Sequence, residues 1–113
     1  MRLLEKSRLD FSLSVREEGA RNGLKPCADI MYESLRGLSF DDITCVVMTG
    51  MGADGTKGIL ELEKTNKIYV IAQDKESSTV YGMPKAIAET GAVDEVQSLK
   101  NIADAITKHV GVL

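Results

Sequence analysis

The stretch Thr49-Gly50-Met51-Gly52-Ala53-Asp54-Gly55-Thr56-Lys57-Gly58 holds the residues of this chain best suited to chemistry. Gly50, Gly52 and Gly55 have the G-x-G-x-x-G spacing of a dinucleotide-binding turn, an apolar run precedes them, and Asp74 follows at about the distance of a ribose-binding acid. In such a turn glycines let backbone N–H groups and a helix N-terminus approach a pyrophosphate. Asp54 argues against that use, because its carboxylate would face the phosphates. Like charges at close range cost on the order of 1 kcal/mol even in bulk water, and more when desolvated. Lys57 offsets only part of this. The P-loop pattern fails as well, since Gly55 is followed by Thr56-Lys57 in place of Lys-Ser/Thr.

A carboxylate beside a helix N-terminus stays ionised and suits an orienting acid, such as the third member of a nucleophile–His–Asp triad. The plainer role for Asp54 is to N-cap the following helix while the glycines supply turn geometry. Spacing alone puts that capping role first, and Asp54→Asn is then expected to alter stability little, because both residues cap well. Asp74 reads as the border of a site or as a strand-end turn residue. Ser77 and Ser78 read as turn or cap residues rather than nucleophiles. His109, the one histidine, falls in the last turn of the final predicted helix, where a solvated side chain favoured by the helix dipole is expected. Cys27 and Cys45 lack a C-x-x-C or metal-finger spacing, and Cys45 reads as a small buried hydrophobe. No residue pattern calls for a metal or cofactor. Lys57 has Glu61 at i+4 as a pairing partner.

These residues need elements to hold them. Leu9, Phe11 and Leu13 alternate with polar residues, as in a half-buried strand over Leu9–Ser14. Pro26 is placed for the first turn of a helix carrying Ile30, Met31 and Leu35, ended by Gly37. Ile43–Met48 is a uniformly apolar, β-branched run, as in a parallel strand covered on both faces. A helix is predicted over Thr56–Lys64, a second buried strand over Lys67–Ala72, and a helix opened by Pro84 and closed by Gly91. Ala92–Val93 reads as a short strand. Ser98 reads as the N-cap of a last helix with Leu99, Ile102, Ala103, Ile106 and Val110 on one face. Strands alternating with helices predict an α/β fold: a partial doubly wound, mainly parallel sheet with flanking helices, Rossmann-like in its three layers. Two strongly apolar strands are few for such a sheet, so the chain reads as part of a larger domain.

Composition sets the outer bounds. The chain has 113 residues, 43% hydrophobic and 27% charged, which fits one globular domain with an aliphatic core, aromatics being only 4%. A net charge of -3 without a basic cluster argues against a nucleic-acid partner or a membrane surface. No apolar stretch approaches the roughly 20 residues of a membrane span. Met1–Asp10 carries charge too early for a signal peptide, so a cytoplasmic location is expected.

Two longer stretches carry a specific resemblance: V-V-M-T-G-M-G-A-D-G-T-K-G-I-L-E-L from Val46, and I-A-Q-D-K-E-S-S-T-V-Y-G-M-P-K-A-I-A-E-T-G-A-V-D-E-V-Q-S-L from Ile71. Together with N-G-L-K-P-C-A-D-I-M-Y-E-S-L upstream, they resemble the C-terminal half of the catalytic domain of the chemotaxis protein-glutamate methylesterases, the CheB family, over roughly Asn22 to Val110. The resemblance implies a doubly wound α/β serine hydrolase that removes methyl groups from glutamyl esters of methyl-accepting chemoreceptors and deamidates glutamines. It implies that Asp54 matches the triad aspartate and that Met51 matches the residue whose backbone N–H helps form the oxyanion hole. Tyr81 to Pro84 resembles a loop near the family's site. The family's nucleophilic serine and triad histidine lie upstream of the matching stretches, as does a phosphorylatable receiver domain of two-component signalling. The expectation is therefore a partial catalytic domain over residues 1–113, inactive alone. Exposed sheet surface would drive homodimerisation or self-association. A non-catalytic interaction module with the same fold and a nucleotide-binding half-domain are the alternatives.

Overall fold

The computed structural model of the chain describes residues 1–7, 10–14 and 27–111. They fall into two compact units, one made of Met1–Asp41 with Asp54–Lys67, the other of Asp42–Ala53 with Ile68–Leu113.

The first unit opens with a hairpin of β1 (Arg2–Ser7) and β2 (Asp10–Ser14), paired antiparallel with Leu3 opposite Leu13. The expected strand is β2, and β1 has no counterpart in the alternation pattern because Arg2-Leu3-Leu4-Glu5-Lys6-Ser7 does not alternate. Helices α1 (Ala28–Ser34) and α2 (Thr56–Glu63) pack on each other. Pro26 and Leu9 lie outside the described residues. The hairpin is tied to α1 by the Leu3 N–H, which donates to Ser34 Oγ at 2.9 Å, and Phe11 stacks on Phe40 with ring centres 4.7 Å apart. Cys27, Ile30, Ile59 and Leu62 form the buried apolar set of this unit. Gly58 explains how closely α1 and α2 approach: a Cβ there would come within 2.9 Å of the Asp29 backbone and of Tyr32 Cβ. Glu61 takes Lys64 at 3.0 Å and Arg36 at 3.8 Å rather than Lys57 as its ion-pair partners.

The second unit is a three-stranded parallel sheet in the order β3 (Ile43–Val47), β4 (Ile68–Gln73), β5 (Glu95–Gln97), with α3 (Gly82–Glu89) against β3 and β4 and α4 (Ile102–Val110) against β4. The expected α/β class is present, with helices flanking a parallel sheet. Strand β4 is buried on both faces, Val70, Ile71, Ala72 and Gln73 all being inaccessible. On β3 only Cys45 and Val47 are buried, while Thr44 and Val46 on the other face are half covered, so the expectation of full burial on both faces holds for β4 and not for β3.

Three boundaries differ from the sequence expectation. The short strand is Glu95–Gln97 and not Ala92–Val93, because Asp94 accepts the Val70 N–H on its side chain and thereby sets where pairing with β4 begins. Helix α3 starts at Gly82, two residues before Pro84. Ser98 does not cap the last helix: a 3₁₀ turn, Leu99–Asn101, precedes α4, and the Leu99 N–H goes to Ser77 Oγ at 2.9 Å. Leu99 and Val110 are half exposed, and the buried residues of α4 are Ile102 and Ala105.

Candidate functional site

Helices α1 and α2 lack side-chain caps of their own, Cys27 and Gly55 being their N-cap residues. The free N–H groups of each first turn must go somewhere. They go to a carboxylate delivered by the other segment. Asp54 Oδ2 accepts the Ala28 N–H at 2.8 Å, and Asp54 Oδ1 accepts the Asp29 N–H at 3.1 Å and the Cys27 thiol at 3.2 Å. In return Asp29 Oδ1 accepts the Gly55 N–H at 3.0 Å and the Gly58 N–H at 2.7 Å, both buried. Gly55 makes the exchange feasible, since its φ of 96° is a left-handed conformation that costs other residues energy.

This corrects the plain capping expectation. Asp54 does cap a helix, but the preceding one, and the cap of α2 is Asp29, which sequence reasoning passed over. Its only local signal is an acid in a first turn, which the helix dipole alone would justify. Burial raises the pKa of Asp54, but the donors from Ala28, Cys27 and Asp29 outweigh it and hold the carboxyl below its ordinary range. Burial, then the bond to Asp54, pushes the Cys27 thiol up. Cys27, Asp29 and Asp54 place one potential ligand atom each within 4.8 Å of one another. The backbone donors and the protonated thiol already occupy those atoms, so the cluster reads as a capping network. The same network answers the dinucleotide spacing: the Gly55 and Gly58 amides that would cradle a pyrophosphate are directed at Asp29.

In the second unit the loop Thr49–Gly52 leaves the carboxyl end of β3, where α/β sheets place their sites. It is strapped to the segment Val80–Met83. The Gly50 N–H donates to Val80 O at 2.9 Å, and Gly50 O accepts the Gly82 N–H at 3.1 Å and the Met83 N–H at 2.9 Å. Thr49 Oγ1 accepts the Val80 N–H at 2.8 Å. A Cβ on Gly82 would lie 2.7 Å from Gly50 O, so the glycine of Tyr-Gly-Met-Pro is required by the approach of the two loops. The Met51 side chain is 83% exposed, which leaves only its backbone to do work within the loop.

The remaining candidates are structural. Asp74 accepts the Ser77 N–H at 2.9 Å and the Ser77 hydroxyl at 2.5 Å, and Ser78 Oγ donates to Asp74 O, the turn geometry expected of all three. His109 departs from expectation. Its ring stacks on Tyr69 at 3.8 Å, and Nε2 lies 3.0 Å from Asp42 Oδ2. The hydrogen bond of Tyr69 to Glu95 raises the phenol above its usual range and holds Glu95 below its own. His109 thus fastens the last turn of α4 to the strand β4.

Comparisons with known proteins bear on the family of the chain. The profile of the CheB methylesterase family matches residues 2–106. A protein-glutamate methylesterase/protein-glutamine glutaminase of Halalkalibacterium halodurans is 42% identical over 108 residues, covering 94% of this chain and 31% of that protein. One from Symbiobacterium thermophilum is 41% identical over 90 residues, covering 80% of this chain and 25% of that protein. The crystal structure of the Thermotoga maritima CheB methylesterase catalytic domain superposes with a TM-score of 0.84 at 29% identity, covering 95% of this chain and 57% of that one. The chain spans about a third or less of the length of these curated relatives. With a matching profile over nearly its whole length, a matching fold and a glycine–aspartate loop at the end of a parallel strand, this chain belongs to the CheB methylesterase family.

Proposed function

We propose that the chain is the distal part of a protein-glutamate methylesterase/protein-glutamine glutaminase acting in the cytoplasm on methyl-accepting chemoreceptors, with Asp54 as the acid of a Ser-His-Asp triad and the Met51 backbone N–H as an oxyanion donor. A serine and a histidine from outside these 113 residues complete the triad. In this reading the serine attacks the glutamyl ester or glutamine carbonyl as the histidine takes its proton. Asp54 orients the imidazole and stabilises its cation. The histidine then protonates the departing methoxide oxygen or amide nitrogen, which leaves as methanol or ammonia, and water hydrolyses the acyl-serine to the glutamate. Charge collects on the carbonyl oxygen, where one preorganised N–H is worth about 3 kcal/mol.

The observation that carries this reading is the state of Asp54: donors from Ala28, Cys27 and Asp29 hold its carboxylate ionised and fixed, as an orienting acid requires. The test completes the chain with the segment that precedes its counterpart in the Thermotoga maritima catalytic domain and measures methyl-ester hydrolysis. Asp54→Asn in the completed domain is expected to lower kcat by roughly 10³–10⁴-fold with KM little changed. Turnover near that of the unsubstituted protein would remove Asp54 from the mechanism. The chain by itself is expected to show no hydrolysis above background, since triad members act as a unit.

A further inference from the structure

Gln73 is the last residue of β4 and only 1% exposed, a buried polar side chain that the triad does not use. The ladder between β3 and β4 ends at the pair Val47–Ala72, after which the β3 chain turns away into the loop Thr49–Gly52. The Thr49 N–H therefore has no strand partner. Gln73 supplies one: its Oε1 accepts the Thr49 N–H at 2.8 Å. At its other end Nε2 donates to Ser77 O at 2.8 Å and to Ser77 Oγ at 3.2 Å. The network fixes which way the amide points, because the Thr49 N–H can only donate and Ser77 O can only accept. Ser77 is itself pinned by Asp74 and holds the Leu99 N–H.

We infer that Gln73 is a positioning residue for the glycine loop, its carboxamide joining the end of the sheet to Thr49 and so aiming the Met51 N–H two residues further on. The mechanistic consequence rests on the reading of Met51 as an oxyanion donor, whereas the anchoring does not. The contacts to Val80, Gly82 and Met83 tie the loop to the start of α3, and Gln73 supplies the tie to buried sheet. A side chain of this length must accept at one end and donate at the other. Glutamate loses the donor when ionised, and methionine loses both.

The test uses Gln73→Met and Gln73→Glu. In the purified chain, amide hydrogen-exchange protection is read at Thr49 and Gly50, whose N–H groups are bonded to Gln73 and Val80, with Val70 and Ile71 of β4 reporting global opening. Gln73→Met is expected to lower protection at the loop by about tenfold or more and to leave β4 within about twofold. Gln73→Glu is expected to do the same near pH 8 and to recover near pH 5, where the buried acid protonates and regains a donor for Ser77. In the completed catalytic domain Gln73→Met is expected to lower kcat by about 10–100-fold with KM within about threefold, less than the loss of an oxyanion donor outright. Unchanged loop protection, loss of β4 protection in step with the loop, or absence of recovery in Gln73→Glu would each overturn the inference. So would a loosened loop with unchanged kcat in a domain that Asp54→Asn inactivates. A domain in which Asp54→Asn is also silent has instead lost the triad reading. Should Gln73→Met fail to fold, the pH response of Gln73→Glu decides.

Discussion

At the scale of single residues, the exchange of caps between Asp29 and Asp54 sets what either position tolerates. Both oxygens of Asp54 face N–H or S–H donors, so the amide nitrogen of an asparagine would have to meet one of them. Asp54→Asn is therefore expected to destabilise the chain by about 1–2 kcal/mol, the cost of leaving a part-buried donor unpaired. This replaces the sequence expectation of a near-neutral change, and a denaturant titration checks it. The pH dependence has a definite sign. Because the folded-state carboxyl of Asp54 sits below its ordinary range, its contribution is full above the unfolded value, about 3.9. It is lost as pH falls through the lower folded value, where both states bind the proton. Chemical melts between about pH 6 and pH 2 should show wild type losing stability over that window and Asp54→Asn losing less. Equal losses would show that Asp54 is not the linked group.

At the scale of elements, the contact of α1 with α2 turns on Gly58. In an exposed helix, alanine would be preferred to glycine by about 1 kcal/mol. Here the added Cβ would meet two backbone atoms of Asp29 and the Cβ of Tyr32, all at 2.9 Å, and none of them is the end of a flexible side chain. Overpacking of this kind costs about 1–3 kcal/mol. Gly58→Ala is thus expected to lower stability and to loosen the cap that Asp29 provides for α2, seen as faster exchange of the backbone amides at positions 55 and 58. A stabilised variant would show that the helices can move apart freely. The sheet is held differently. Its loops are joined by Gln73 and by the Gly50–Gly82 approach, so the elements that present Met51 depend on one buried amide and one glycine.

At the scale of the whole molecule, the described residues of each unit leave apolar surface and strand edges open. Among the described strands, β3 pairs on one side only and β5 presents Val96 at 56% exposure at the other edge. In the hairpin, Leu13 is 65% exposed. No helix among the described residues is long and apolar enough to cross a membrane, so this surface is not a helical membrane span. Unpaired edges and exposed aliphatic side chains favour association, and a homodimer is the commonest closed form. Light scattering over a wide concentration range is expected to show mass rising above that of one chain of 12.3 kDa. A constant monomer mass with no binding of a hydrophobic dye would overturn that expectation.

How much of this was legible in the sequence follows from the range of the forces involved. The apolar runs at Ile43 and Ile68, the breaks at glycine, and the helical periods between them are local properties, and they placed β3, α2, β4 and α3 to within two residues. The glycine–aspartate stretch was legible as a turn at the end of a buried strand, and so as a candidate site, for the same reason: turn chemistry is read from neighbours. What stayed hidden was nonlocal. The partner of Asp54 lies 25 or 26 residues back in the chain, at Asp29 and Ala28; that of Thr49 lies 24 residues on, at Gln73; and that of His109 lies 67 residues back, at Asp42. Such pairings depend on which unsatisfied donor folding brings beside which acceptor, and no local pattern encodes that. Local sequence was enough for β2, β3, β4 and the helices between them, and for the turn that follows β3. Only the tertiary structure decided that Asp54 would serve α1, that Asp29 would serve α2 and that a glutamine at the end of β4 would hold the loop, because buried hydrogen-bonding groups must be matched in space rather than along the chain.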